Sequence, residues 1–162
     1  MDTAHNRVVK VVYELCREYS RYKKVFADGI GKKYMPIVIH SKPLKGGRAE
    51  TVTFNPDVWA ETAKGMVDVY EVWDTETEAE CVEDVLWFAL MKNKGYLHIV
   101  CLDKDQEEVA RKLDKIVLNS LFDEDGKPLS AHHRIIASVP QDLVKQDRKL
   151  KLLLYKKLVF YR

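Results

Sequence analysis

Apolar residues at Val8, Val11, Val12, Leu15, Tyr19 and Tyr22 recur at the three- and four-residue spacing of an amphipathic helix. The pattern predicts a helix from Asn6 to about Phe26, capped by Thr3 or Asn6 and stopped by the two close glycines of Asp28 to Gly31. The period then shortens. Pro36 to Ser41 is a β-branched strand, and Lys42 to Arg48 is a glycine-rich basic turn suited to a hairpin tip. Glu50 to Trp59 continues as a strand broken or bulged at Pro56, Glu61 to Gly65 turns, and Met66 to Trp73 is the next strand.

A second helix is predicted over Ala79 to Lys94. Thr75 or Thr77 caps it, early glutamates complement its dipole, and Cys81, Val82, Val85, Leu86, Ala89 and Leu90 form its apolar face. Tyr96 to Leu102 is nearly all apolar, as a strand buried on both faces would be. Asp103 to Phe122 reads as another helix, Arg134 to Val139 as a strand, and the residues after Pro140 as a last helix bearing Leu143, Leu150, Leu153 and Leu154. The order αβββαβα, then βα, predicts an α/β domain whose mixed sheet has helices on both faces.

The 162 residues, 46% of them hydrophobic, suit one domain with one sizeable core. No apolar run approaches the roughly 20 residues of a membrane span. The first residues, Met1 to Arg7, lack the apolar centre of a signal peptide, so the cytoplasm is the expected location. Cys16, Cys81 and Cys101 are far apart and are expected to be buried, reduced thiols; no cysteine or histidine spacing suggests zinc. The net charge of +2 hides segregation. Eleven Lys and Arg stand against five acids in the first fifty residues, and ten acids against Lys64 alone between Asp57 and Asp84. The tail after Pro140 is basic again. Such a layout suits a protein that holds a polyanion beside a metal-binding patch, and equally a solvated surface.

Within that acidic centre, Asp57 follows the strand break at Pro56, and Glu71 lies on the next strand. Strand alternation puts Glu71 and Trp73 on one face with Val67 and Val69, while Asp68, Tyr70 and Val72 point the other way. An acid on an apolar stripe is costly unless paired or bound to metal. Carboxylates on adjacent strands suit a hard divalent ion such as Mg²⁺, and two ordinary surface acids would show the same spacing. Elsewhere the chemistry is thin. Adjacent His132 and His133 point apart in an extended chain, and Asp123 to Gly126 lacks the ligand spacing of a calcium loop.

Pro56-Asp57 and Glu71-Val72-Trp73, followed by a helix and an apolar strand, resemble the signature of the PD-(D/E)XK nuclease superfamily, especially archaeal Holliday-junction resolvases and small archaeal or viral nucleases. The resemblance covers about residues 6 to 120, with 130 to 162 as a βα extension of a single 1–162 domain. It implies a restriction-endonuclease-like mixed β-sheet flanked by helices, and Mg²⁺- or Mn²⁺-dependent hydrolysis of DNA in the cytoplasm (the host's, for a viral protein). Asp57 and Glu71 would hold the metal, with Glu14 or Glu18 of the first helix as a helper. Trp73 departs from the pattern, standing where the family carries a catalytic lysine. A migrated cation is sought in Lys64, Lys92 or Lys94, and a migrated acid in Glu80 or Glu83. Backbone contacts would come from Lys23, Lys24, Lys45, Arg48 and Lys149. Homodimers are common in the superfamily, and the last helix, Leu150 to Tyr161, is the candidate seam. Two alternatives stand beside this reading. One is a nuclease fold that binds DNA without cutting; the other is a protein–protein adaptor built on exposed Trp59, Trp73 and Trp87.

Overall fold

A computed structural model describes residues 3–30, 34–40 and 45–159. The first helix, α1, is Ala4–Glu18, with the Thr3 side chain accepting from the Asn6 amide at its start. It ends well before Phe26, because Tyr22–Ala27 is a strand, β1, paired antiparallel with Val58–Thr62. Tyr19 and Tyr22 mimic helical spacing for a physical reason. Both still pack on the core that α1 covers, and their rings meet edge to face at 5.3 Å. The strand expected over Glu50 to Trp59 is two strands. Thr51–Phe54 (β3) pairs with Ile37–His40 (β2) in a separate two-stranded arm, and Val58–Thr62 (β4) joins the main sheet. Pro56 lies in the break between them, where it has no amide to give a ladder.

The main sheet continues with Val67–Trp73 (β5), Lys94–Cys101 (β6) and His133–Ile136 (β7), in the spatial order β1-β4-β5-β6-β7. β1, β4 and β5 are antiparallel, and β5, β6 and β7 run parallel. The helices Glu78–Leu90 (α2) and Lys104–Ile116 (α3) connect the parallel strands. Gln141–Val144 (α4) and Asp147–Leu154 (α5) follow β7, and a π-helical turn, Tyr155–Val159, continues α5. The result is the expected mixed sheet with helices on both faces. α1, α4 and α5 pack over Tyr70, Val72 and Val100; α2 and α3 pack over Val69, Trp73, Leu97 and Ile99. The alternation read for β5 is therefore observed, and β6 is buried on both faces. No helix among the described residues is long and apolar enough to cross a membrane.

Two expectations about exposed surfaces change. Leu150, Leu154 and Leu158 are buried against α1 in the same chain, so the apolar face offered as a dimer seam is already used. Leu152 and Tyr155 face outward, and Tyr161 lies outside the described residues. Trp59 and Trp73 are buried at 8% and 0% exposure, and Trp87 stacks on Phe54. An adaptor face made of three exposed tryptophans is absent, because the sheet's inner stripe consumes two of them. The three cysteines are buried thiols outside any disulfide, as expected.

Asp68 is the buried hub on the α1 side of β5. Its Oδ1 accepts from the Tyr96 amide at 2.8 Å and its Oδ2 from the Tyr22 hydroxyl at 2.6 Å, while the Tyr22 and Tyr70 hydroxyls share a hydrogen bond. Gly95 leaves the room for this: a Cβ there would overlap Asp68 Oδ1. Gly95→Ala is therefore expected to displace Asp68 from both donors and lower stability by about 2–4 kcal/mol. Urea unfolding measures this; a loss under about 0.5 kcal/mol, the scale of ordinary surface changes, would contradict it.

Candidate functional site

The register of the β4–β5 hairpin brings the two predicted acids together. Val58 pairs with Tyr70, so Asp57 and Glu71 sit side by side just beyond that pair. The main-chain ladder stops there at Pro56, whose carbonyl instead accepts from the Tyr34 hydroxyl at 3.1 Å. The Val72 amide finds its acceptor in the Asp57 side chain, at 2.8 Å to Oδ2. That bond fixes the Asp57 carboxylate against Glu71.

Glu71 is 5% exposed, and its Oε1 is buried without a hydrogen-bond partner. Burial raises its pKa well above the ordinary 4.5, and the Asp57 carboxylate beside it and Asp84 push the same way. Asp84 projects from α2 and accepts from the Trp73 indole N–H at 2.9 Å. Burial lifts it to about 7, against the pull of that hydrogen bond. Glu76 is also raised, mainly by burial. His5, in the first turn of α1, places Nε2 3.4 Å from Asp57 Oδ2. Its pKa rises to about 9, first through the Asp57 hydrogen bond, with burial opposing.

The remaining predicted residues lie elsewhere. Glu14 is about 13 Å along α1 from His5 at 1.5 Å per residue, and Glu18 is farther still. Glu18 accepts from Lys151 at 2.7 Å, and Glu14 lines a cleft between α1 and α5. Lys64 is in the turn at the other end of the β4–β5 hairpin, about 20 Å of strand from Asp57. Lys92 and Lys94 stand near the start of β6, beside Val67, and Lys94 donates to the Met91 carbonyl. Glu80 belongs to the α2 cap with Thr77, and Glu83 accepts from Trp87. Of the phosphate-contact candidates, Lys45 and Arg48 are exposed on the arm that leads through Pro56 to Asp57. Lys23 and Lys24 are exposed toward the far end of β1, and Lys149 is exposed on α5, on the face of the sheet opposite Glu71.

Sequence reasoning missed Asp84 and His5. Asp84 had a signal, since it falls on the stripe Cys81, Val85 and Phe88 that α2 buries, whereas Glu80 and Glu83 do not. His5 had none; only the docking of α1 on the sheet brings it to Asp57.

Among the described residues, no three His, Cys, Asp or Glu side chains form a ready-made metal cage. A hard divalent ion does not need one, because Mg²⁺ is commonly held by one or two carboxylates with water and phosphate completing its shell. Asp57 and Glu71 fit that use, and the partnerless Glu71 Oε1 is the atom such an ion would satisfy.

The raised groups define a pH dependence. Folded Asp84 holds its proton where the unfolded chain has lost it, so its contribution to stability falls as pH rises from about 4 to about 7, and Glu71, raised by burial, adds to the fall above 4.5. His5 extends the fall: its contribution is complete below 6.5 and is lost as pH passes about 9. Metal-free protein is expected to melt at a higher temperature at pH 5 than at pH 8. Glu71→Gln should raise the pH 8 stability by about 1–3 kcal/mol, or about 2–4 °C per kcal/mol, and flatten the slope. Calorimetry across that range, with a steeper slope in the variant, would refute the assignment. No family model matches this chain, and neither does any curated protein or solved structure.

Proposed function

We propose that this chain is a metal-dependent DNA nuclease of the PD-(D/E)XK type. The observation that carries the reading is the buried, partnerless Glu71 Oε1 beside Asp57, on a hairpin followed by a helix and a parallel strand. A protein gains nothing in stability from such an arrangement, and the cost is explained if an ion occupies it. Asp57 and Glu71 would hold Mg²⁺ or Mn²⁺, which supplies an activated water and neutralises charge on the scissile phosphate. The Val72 amide keeps Asp57 in place, and the Trp73 indole keeps Asp84 turned toward the pair. The basic tip of the β2–β3 arm, Lys45 and Arg48, is the phosphate-binding surface closest in the chain to the acids.

Cleavage of labelled linear and branched DNA in Mg²⁺ or Mn²⁺ tests this. Metal-dependent cutting is expected, falling to background in Glu71→Ala and in Asp57→Ala. Cutting that survives both substitutions would reject the site. One observation favours a second reading, DNA binding without cutting: Trp73 is fully buried and tied to Asp84, so it offers nothing that a lysine would. Salt-sensitive binding by a wild-type protein that cuts neither substrate would select it.

Binding itself is expected to depend on the arm. Replacing Lys45 and Arg48 together by alanine should reduce the slope of log K against log[salt] by about 2, near 0.9 for each phosphate no longer neutralised. Lys149→Ala should leave the slope unchanged. Equal effects from the arm and from α5 would move the DNA to another face.

A further inference from the structure

The proposed site has acids in excess and needs a donor for the substrate. In-line attack on a phosphodiester builds negative charge on the non-bridging oxygens, and a fixed N–H beside the metal stabilises it. Trp73 gives its indole N–H to Asp84, and the Val72 amide is committed to Asp57. Lys64, Lys92 and Lys94 stand at the far end of the strands.

His5 is placed differently. Its Nε2 is 3.4 Å from Asp57 Oδ2, and its Nδ1 is 3.3 Å from Asn6 Oδ1, so the ring is oriented at both nitrogens. Its backbone is held in the first turn of a helix capped by Thr3. The His5 and Asp57 side chains are 29% and 21% exposed, whereas Glu71 is buried. A phosphate approaching the pair from solvent therefore meets the Asp57–His5 edge first.

We propose that His5 is a catalytic residue of this site, its Nε2–H binding a non-bridging oxygen of the scissile phosphate. The inference rests on the nuclease reading and supplies the donor that Trp73 cannot. In the protein alone the same ring edge faces Asp57, with Nε2 3.4 Å from Oδ2. Substrate exchanges one anionic acceptor for another, with no bond made or broken at the ring.

Steady-state cleavage in Mn²⁺ by the full chain provides the test, comparing wild type with His5→Ala, His5→Asn and His5→Lys. His5→Ala is expected to lower kcat about 100-fold, the usual loss for one preorganised donor, with KM within about threefold. His5→Lys should recover at least about tenfold of that loss, which also shows that the altered chain still folds. A second readout is independent of turnover. In imidazole ¹⁵N spectra, the His5 signal, identified by its absence from His5→Asn, should shift on adding a phosphorothioate DNA with Mn²⁺ replaced by Ca²⁺. Wild-type rates in His5→Ala, with Glu71→Ala inactive, would overturn the role of His5 and leave the nuclease standing. That role is equally overturned if His5→Lys is folded but no better than His5→Ala, or if the His5 signal does not move. No cleavage by folded wild-type protein would overturn both.

Discussion

The hydrogen bond from the Val72 amide to Asp57 is the contact on which the arrangement of the acids depends. The β4–β5 ladder ends at the Val58–Tyr70 pair, and a buried amide beyond it without an acceptor is expensive. A carboxylate supplies the acceptor, and in doing so it is locked beside a second carboxylate on the neighbouring strand. The same break releases the chain toward the β2–β3 arm, whose root is tied down by Tyr34 on the Pro56 carbonyl and by the Trp59 indole on the Met35 carbonyl. Site and arm thus meet at adjacent residues, the Pro56 carbonyl holding the arm and the Asp57 side chain holding the Val72 amide.

Strand β5 carries two buried acids and treats them in opposite ways. Asp68, on the α1 side, receives an amide and a tyrosine hydroxyl and has a glycine opposite to make room. That is how a carboxylate is made structural: its donors repay the loss of water. Glu71, three residues on and facing α2, has an oxygen with no donor and acids as its charged neighbours. Since the fold satisfies one buried acid fully within the same strand, the other is not explained by poor packing. The protein alone meets that cost by keeping Glu71 protonated beside Asp57; on the nuclease reading, a cation would take the proton's place.

Much of this is legible in the sequence. The period-two pattern of Met66 to Trp73 marks the faces of β5, and the apolar run Tyr96 to Leu102 marks a strand buried on both sides. Asp57 and Glu71 can be paired from the hairpin alone. The departures have physical reasons. The first helix reads too long because Tyr19 and Tyr22 serve the same core from a turn and a strand, and periodicity records burial without recording backbone. Tryptophans on the inner stripe look the same in sequence as tryptophans on an interface. Lys64 lies close to Asp57 in the chain, yet a hairpin sends its turn away from its open end. His5 is the opposite case, distant in sequence and adjacent in space, because helix docking is set by the whole core.

Charge then orders the events at such a site. Asp57, Glu71 and Asp84 together would repel a nucleic-acid backbone, and burial keeps water from screening that repulsion. Without metal the protein lowers the repulsion by holding protons, which is why burial and neighbouring charge raise Glu71 and Asp84 together. A divalent ion would do the same work with charge to spare, which a phosphate would then use. On the nuclease reading, metal therefore precedes productive contact, while the arm with Lys45 and Arg48 engages backbone from outside the acidic field. Those two tasks need separate places. The proline break, by dividing one predicted strand between the arm and the sheet, is the feature that separates them.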